Sequence, residues 1–136
     1  MQIEVKEVTN GNLNNKVVWV SDIRHNGNPF EKLIRHTKPT KVIIRDNDNY
    51  LPKGKRVYYS ESHFVVLDKN NKPTKKIIAP FDNTGYRSYT GIALKVFDNI
   101  EECEASYIKQ KQLIIDDMNK ALAELTVKMK NFISMD

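Results

Sequence analysis

A glycine-bearing loop of mixed chemistry, residues 79–91, is the part of this sequence best suited to hold a ligand. It reads APFDNTGYRSYTG and places one arginine among aromatic and hydroxyl side chains. Glycines let backbone N–H groups approach a phosphate, a guanidinium makes forked contacts with it, and aromatic faces stack on a base. A strained turn whose aromatic side chains cover the sheet is the structural alternative. The residues of this loop that we expect to bind a ligand are Phe81, Asn83, Gly85, Tyr86, Arg87 and Ser88.

A second segment, residues 51–60, repeats the combination of basic and aromatic residues in the order LPKGKRVYYS. Alternate side chains of a strand share a face, so Arg56 and Tyr58 would lie on the same side of a sheet. We therefore add Arg56 and Tyr58 to the expected ligand-binding residues. Either segment alone is a weak signal, whereas the two together favour an anion site.

The residue types that usually perform catalysis are present without catalytic spacing. Cys103 is the single cysteine, so neither a cysteine metal cluster nor an intrachain disulfide is expected. Residues 46–49 resemble the start of a calcium loop, but Leu51 and Val57 stand where that loop needs glycine and a bidentate glutamate. We expect no catalytic residue, no metal and no cofactor, although metal-free acid–base chemistry leaves almost no sequence signature. The histidines are far apart and lack metal-ligand spacing: His25, His36 and His63.

The elements that position these groups fall into two regimes. Residues 1–98 contain short runs of alternating or β-branched residues between turns rich in Asn, Gly and Pro, which predict strands. From Asn99 the pattern is helical, because Asn99 can cap, Glu102 follows three residues later, and apolar residues recur every three or four positions. One helix of ~35 residues would be ~50 Å long, so we expect two helices or one whose apolar stripe reaches a partner chain. The expected strands are residues 3–8, 16–20, 40–45, 55–67 as the longest, 75–78 and 93–97.

These elements predict a single α+β domain over residues 1–136, with an antiparallel sheet of about five or six short strands followed by one long or two C-terminal helices. Residues 1–98 carry the sheet and its loops, and residues 99–136 form a helical oligomerisation element. Residues 1–98 hold 17 Lys and Arg against 10 Asp and Glu, a surplus of +7, whereas residues 99–136 hold 5 against 7, or −2. The basic surplus therefore lies in the sheet region and favours an anionic partner.

Membrane association is not expected from the sequence. No apolar run approaches the ~20 residues of a membrane span, and the N-terminus lacks the apolar core of a signal peptide. We expect a cytoplasmic protein.

The chain resembles a family of phage proteins, the Thoeris anti-defence sponges. The resemblance rests on the order of short strands, the helical last third, residues 53–59 (KGKRVYY) and residues 80–88 (PFDNTGYRS). The resemblance implies an antiparallel sheet with C-terminal helices, assembly as a homodimer or larger oligomer, and capture of a cyclic ADP-ribose isomer without cleavage. It also implies that Arg56 binds phosphate and that Phe81 stacks on the base. The family takes a further arginine from its helices. The nearest candidates in this chain are Lys109 and Lys111, so that contact is either replaced or the correspondence with the family fails there. Lys109 completes the expected ligand-binding residues.

More than one class of function stays open. The first is a phage binding protein that sequesters a nucleotide-type immune signal in the host cytoplasm. The alternative is a basic nucleic-acid-binding phage protein that acts on host DNA or RNA, whose affinity would fall steeply with salt. An inhibitor that binds another protein is a third possibility.

Overall fold

A computed structural model describes residues 1–57, 60–80 and 94–135. Within these residues, six strands form one antiparallel sheet in the order β1-β6-β2-β3-β4-β5. A long C-terminal helix, α3, follows the sheet, and this arrangement confirms the predicted α+β class. None of the described helices combines the length and the apolar character that crossing a membrane requires. The bounds are β1 Gln2–Ile3, α1 Val5–Thr9, β2 Val17–Arg24, β3 Arg35–Asp46, α2 Asn47–Tyr50, β4 Ser62–Leu67, β5 Pro73–Ile78, β6 Lys95–Phe97 and α3 Ile100–Ile133.

The central hairpin of β2 and β3 organises the core. Val18 pairs with Val42 across the two strands, and both side chains are fully buried on one face of the sheet. Alternate residues of a strand share a face, so this face collects the β-branched residues that the sequence places two apart. α1 covers it with further buried valines. The core cluster consists of Val5, Val8, Val18, Val20, Val42, Ile44, Phe64, Leu94 and Val96.

Two of the predicted strands are corrected by the structure. Residues 3–8 form only the end of β1 and then α1, because Val5 and Val8 are spaced three apart and helical geometry buries both. Within the predicted strand 55–67, the structure forms β4 over Ser62–Leu67, and residues 55–57, 60 and 61 are not in a strand. Among the strands that the structure describes, β3 is the longest, with 12 residues.

α3 is a single helix of 34 residues, so the predicted helical region does not divide in two. Its first turn is capped as expected, with the backbone N–H of Glu102 donating to Oδ1 of Asn99 at 2.9 Å. The first half packs on the sheet face opposite the core cluster, mainly against β2, and buries Cys103 and Ile114. Beyond Met118 the described side chains are exposed, apart from the half-buried Ala121.

His63 of β4 is a fully buried histidine. Its Nδ1 lies 2.9 Å from Oδ1 of Asn47, at the start of α2. Burial lowers the pKa of this imidazole from its ordinary value of 6.5, while Asp46 opposes the change and Arg45 adds to it. His63 therefore binds a proton at a lower pH in the folded chain than in the unfolded chain.

This difference predicts a pH-dependent stability. As the pH falls from about 6.5 towards the lower folded-state pKa of His63, the unfolded chain binds more protons, so the free energy of unfolding should decrease. Above that window the contribution is constant. Urea denaturation at pH 7 and pH 5 should show a smaller loss for His63→Gln than for the natural sequence. Equal pH dependence in the two proteins would assign the effect to other groups.

Candidate functional site

A groove runs between α3 and the segment that joins β2 to β3. Its volume is about 610 Å³, within the ~300–1,000 Å³ that small-molecule sites usually occupy. We refer to it as the α3 groove. It is lined by Ile23, Pro29, Phe30, Glu31, Leu33, His36, Lys38, Tyr107, Lys111, Ile114, Ile115 and Met118.

The polar end of the α3 groove combines aromatic rings with cations. Nε2 of His36 lies 2.7 Å from the hydroxyl of Tyr107, and the two rings are nearly parallel, with centroids 6.1 Å apart. Lys38 of β3 and Lys111 of α3 line the same groove, and Glu31 is the one carboxylate among the lining residues. Two lysines and one carboxylate among the lining residues give the groove a positive charge, which suits an anionic group.

The other end of the α3 groove is apolar. Phe30 is 55% exposed and lines the groove together with Ile115 and Met118 of α3. A half-exposed aromatic ring beside aliphatic side chains can stack on a planar group or pack against another apolar side chain. The groove therefore offers a charged end and an apolar end within one cavity.

The segment that carries Phe30 is tied to α3 and to itself by polar contacts. Nε2 of His25 lies 2.8 Å from Oδ2 of Asp117, and the backbone N–H of Gly27 donates to Nδ1 of the same ring at 2.9 Å. Gly27 has a φ of 103°, which a side chain would strain. Oδ1 of Asn28 accepts from the backbone N–H of Phe30 at 3.1 Å. These contacts fix the groove wall before any ligand binds.

A second charged cluster lies on the sheet face opposite α3. Arg24 and Arg35 are directly paired across β2 and β3, and Nε of Arg24 is 2.9 Å from Oδ2 of Asp22. Nη2 of Arg35 donates to the backbone carbonyl of Ala79 at 3.0 Å. Burial raises the pKa of the Asp22 carboxyl, although both arginines act in the opposite direction. The cluster therefore lies beside Ala79, the first residue of the 79–91 loop in which the sequence predicts ligand contacts.

Two of the sequence-predicted site residues fall among the described residues, and they lie on different elements. Arg56 is exposed in the segment between α2 and β4. Lys109 is exposed on α3, and Lys111 rather than Lys109 lines the groove. The other predicted contacts lie outside the described residues: Tyr58, Phe81, Asn83, Gly85, Tyr86, Arg87 and Ser88.

Sequence reasoning missed most of the α3 groove and the arginine pair. His36 and Tyr107 are 71 positions apart, so no local pattern joins them. The pairing of Arg24 with Arg35 was not predicted, because one predicted strand ended at residue 20 and the next began only at residue 40. The pairing register of a longer hairpin is the signal that would have brought the two arginines together.

Metal ligation and thiol chemistry find little support in the described parts of the chain. Residues 1–57, 60–80 and 94–135 contain no group of three or more His, Cys, Asp or Glu side chains arranged to hold a metal ion. Burial raises the pKa of the Cys103 thiol, Glu104 adds to the rise, and a hydrogen bond with Ser21 opposes it. A fully buried thiol with a raised pKa is a poor nucleophile.

Comparison with known proteins finds no match to this chain among family models, curated proteins or solved structures. Function is therefore argued from the chemistry of the chain itself.

Proposed function

We propose that this chain is a binding protein that captures a small phosphorylated nucleotide and does not convert it. The α3 groove is the observation that carries the proposal. Lys38 and Lys111 supply positive charge for phosphate groups, while Phe30 and Tyr107 offer aromatic faces for a base. The volume of about 610 Å³ suits a molecule of nucleotide size.

The resemblance to the Thoeris anti-defence sponges gives the proposal its specific form. The ligand is then a cyclic ADP-ribose isomer, which a phage protein sequesters in the cytoplasm of its host. Arg56, Phe81 and Lys109 are the contacts that the resemblance adds. The chemistry of the two segments adds Tyr58, Asn83, Gly85, Tyr86, Arg87 and Ser88. Self-association is part of the same proposal.

Capture without conversion is supported by the chemistry of the groove. Hydrolysis of a phosphoanhydride or glycosidic bond needs an activated water or a nucleophile. The imidazole of His36 is engaged with the hydroxyl of Tyr107 at 2.7 Å, and the buried thiol of Cys103 does not line the groove. A protein that sequesters a signal needs affinity alone.

The test is recovery of the ligand. The protein is loaded with a cyclic ADP-ribose isomer, freed of unbound ligand and denatured by heat, and the supernatant is analysed by chromatography. We expect intact ligand in an amount close to one per groove, and none from protein denatured before loading. Linear product that accumulates in proportion to protein concentration would refute capture without conversion.

Nucleic-acid binding is a second candidate, favoured by a separate observation. The edge strand β5 and the turn before it carry exposed cations on the side of the molecule away from β6. Such a row attracts a phosphate backbone without reading its sequence. Binding of short oligonucleotides that weakens steeply between 50 mM and 200 mM salt would favour this candidate. The cations are Lys69, Lys72, Lys75 and Lys76.

A further inference from the structure

Glu31 is held in a fixed orientation on the wall of the α3 groove. Nδ2 of Asn26 donates to its Oε2 at 3.1 Å, and Nδ2 of Asn28 donates to its Oε1 at 3.3 Å. The backbone N–H of Glu31 also donates to the carbonyl oxygen of Asn28 at 3.2 Å. Both side-chain partners are neutral amides, so they orient the carboxylate without cancelling its charge. Each carboxylate oxygen accepts more than one hydrogen bond, which leaves both oxygens able to bind a ligand.

A carboxylate is an unexpected group in a groove that attracts phosphate. Like charges repel, so the carboxylate of Glu31 weakens the binding of any anion in the groove. Its charge strengthens binding only where the ligand presents hydrogen-bond donors. In a nucleotide these donors are the hydroxyls of the ribose and the N–H groups of the base. The position of Glu31 along the groove decides between the two.

Two contacts with α3 give the direction of the segment that carries Glu31. Nε2 of His25 lies 2.8 Å from Oδ2 of Asp117, and Nε2 of His36 lies 2.7 Å from the hydroxyl of Tyr107. The segment therefore runs antiparallel to α3, between helix positions that are about 15 Å apart along the axis. Glu31 is six residues after the first contact and five before the second. A residue at the middle of this segment that lines the groove faces the middle of the groove.

The two ends of the groove differ in chemistry. Lys111 lies one turn after Tyr107 on α3, and Lys38 lies two residues after His36 on β3, so both cations belong to the end closed by the His36–Tyr107 contact. The lining side chains of residues 115–118 are apolar and belong to the other end. A nucleotide joins its phosphate to its base through the ribose. Phosphate at the cationic end and base at the apolar end bring the ribose to the middle.

We propose that Glu31 accepts hydrogen bonds from the hydroxyls of the base-bearing ribose, and so selects ribonucleotides over deoxyribonucleotides. The inference rests on the proposed function and deepens it, because it names the class of ligand and the residue that recognises it. Two neighbouring hydroxyls match the two oxygens of a carboxylate, and acidic side chains bind ribose hydroxyls in dinucleotide sites. The amides of Asn26 and Asn28 position the carboxylate for this contact.

Isothermal titration calorimetry with AMP, 2′-deoxy-AMP and 3′-deoxy-AMP at constant salt tests the proposal. We expect the natural sequence to bind AMP about fivefold more tightly than either deoxy analogue. The preference is smaller than at a buried hydroxyl site because Glu31 is exposed and water competes for its oxygens.

Glu31→Gln separates recognition of the ribose from a purely structural role. The variant should bind AMP and 2′-deoxy-AMP within about twofold of each other, since one oxygen and the charge of the carboxylate are gone. It should bind 2′-deoxy-AMP at least as tightly as the natural sequence does, because a repulsion between carboxylate and phosphate is removed. A structural role would weaken both nucleotides alike and preserve their ratio. Glu124→Gln is the matched control: it removes the same charge from an exposed position outside the groove and should leave the ratio unchanged.

The possible failures are distinguishable. Equal affinities of the natural sequence for AMP and the deoxy analogues, or a preference that survives Glu31→Gln, would overturn the role of Glu31 and leave nucleotide capture intact. Purine riboside 5′-monophosphate, which lacks the amino group of AMP, probes the base. Weaker binding of that analogue with no effect of the missing hydroxyls would assign Glu31 to the base and overturn the proposal. Failure of the natural sequence to bind any of these nucleotides would count against the proposed function itself and remove the inference with it.

Discussion

Replacing Phe64 by alanine is expected to lower the free energy of unfolding by roughly 3–5 kcal/mol. Phe64 is fully buried near the middle of β4, where it pairs with Ile44 of β3 and Ile78 of β5. Alanine removes the ring from the core cluster and leaves a cavity that the sheet cannot close without moving a strand. The lost transfer free energy and the cavity both destabilise the folded chain. Urea denaturation monitored by circular dichroism measures the change.

Phe30→Ala is the matched control for this experiment. The same side chain is removed, but Phe30 is 55% exposed on the wall of the α3 groove. Its loss should change the free energy of unfolding by no more than about 1 kcal/mol. Similar losses at the two positions would mean that the core is not centred on β4, and a loss below about 1 kcal/mol for Phe64→Ala would mean that this sheet face is loosely packed.

The sequence predicted best the features that depend on neighbouring residues. The expected N-cap forms, because the backbone N–H of Glu102 donates to Oδ1 of Asn99 at 2.9 Å. The helical spacing of apolar residues after Asn99 corresponds to one helix, α3. The turn after α1 also follows local chemistry, because Gly11 and Asn15 take positive φ values of 77° and 72° there. Glycine and asparagine tolerate that conformation, so their presence was sufficient to locate the turn.

Strand lengths were predicted less well because pairing between strands decides them. Residues 35–39 of β3 contain a proline and show no clear apolar alternation, yet they pair with the last residues of β2. The register shifts between Val20 and Asp22, and this irregularity accommodates Pro39, which has no N–H to donate. A single strand considered alone does not reveal that its partner continues.

The candidate site depends even more on distant parts of the chain. The α3 groove joins residues 23–38 to residues 107–118, and the His25–Asp117 contact that fixes its wall spans 92 positions. The sequence identified basic and aromatic residues as the relevant chemistry but placed them in other segments. The sequence pointed to Lys111 only as a substitute for the arginine that the resembling family uses, although Lys111 lines the groove together with Lys38.

Under the proposed function, the double variant Lys38→Ala, Lys111→Ala should bind a cyclic ADP-ribose isomer roughly 30-fold more weakly. Both lysines line the α3 groove, from β3 and from α3 respectively, and both are exposed. Solvent screens exposed charges, so each contact should contribute about 1 kcal/mol rather than the larger amount typical of a buried charged hydrogen bond. Isothermal titration calorimetry at constant salt measures the two affinities.

The matched control removes the same charge from the opposite part of the molecule. Lys72→Ala with Lys75→Ala lowers the net charge by two at exposed positions beside β5, and it should leave the affinity for the nucleotide within about twofold if the α3 groove holds the ligand. Equal loss in both double variants would indicate a diffuse attraction to anions. Loss in the β5 variant alone, together with steep salt dependence, would favour the nucleic-acid candidate, because the cations that matter would then be those of the sheet edge.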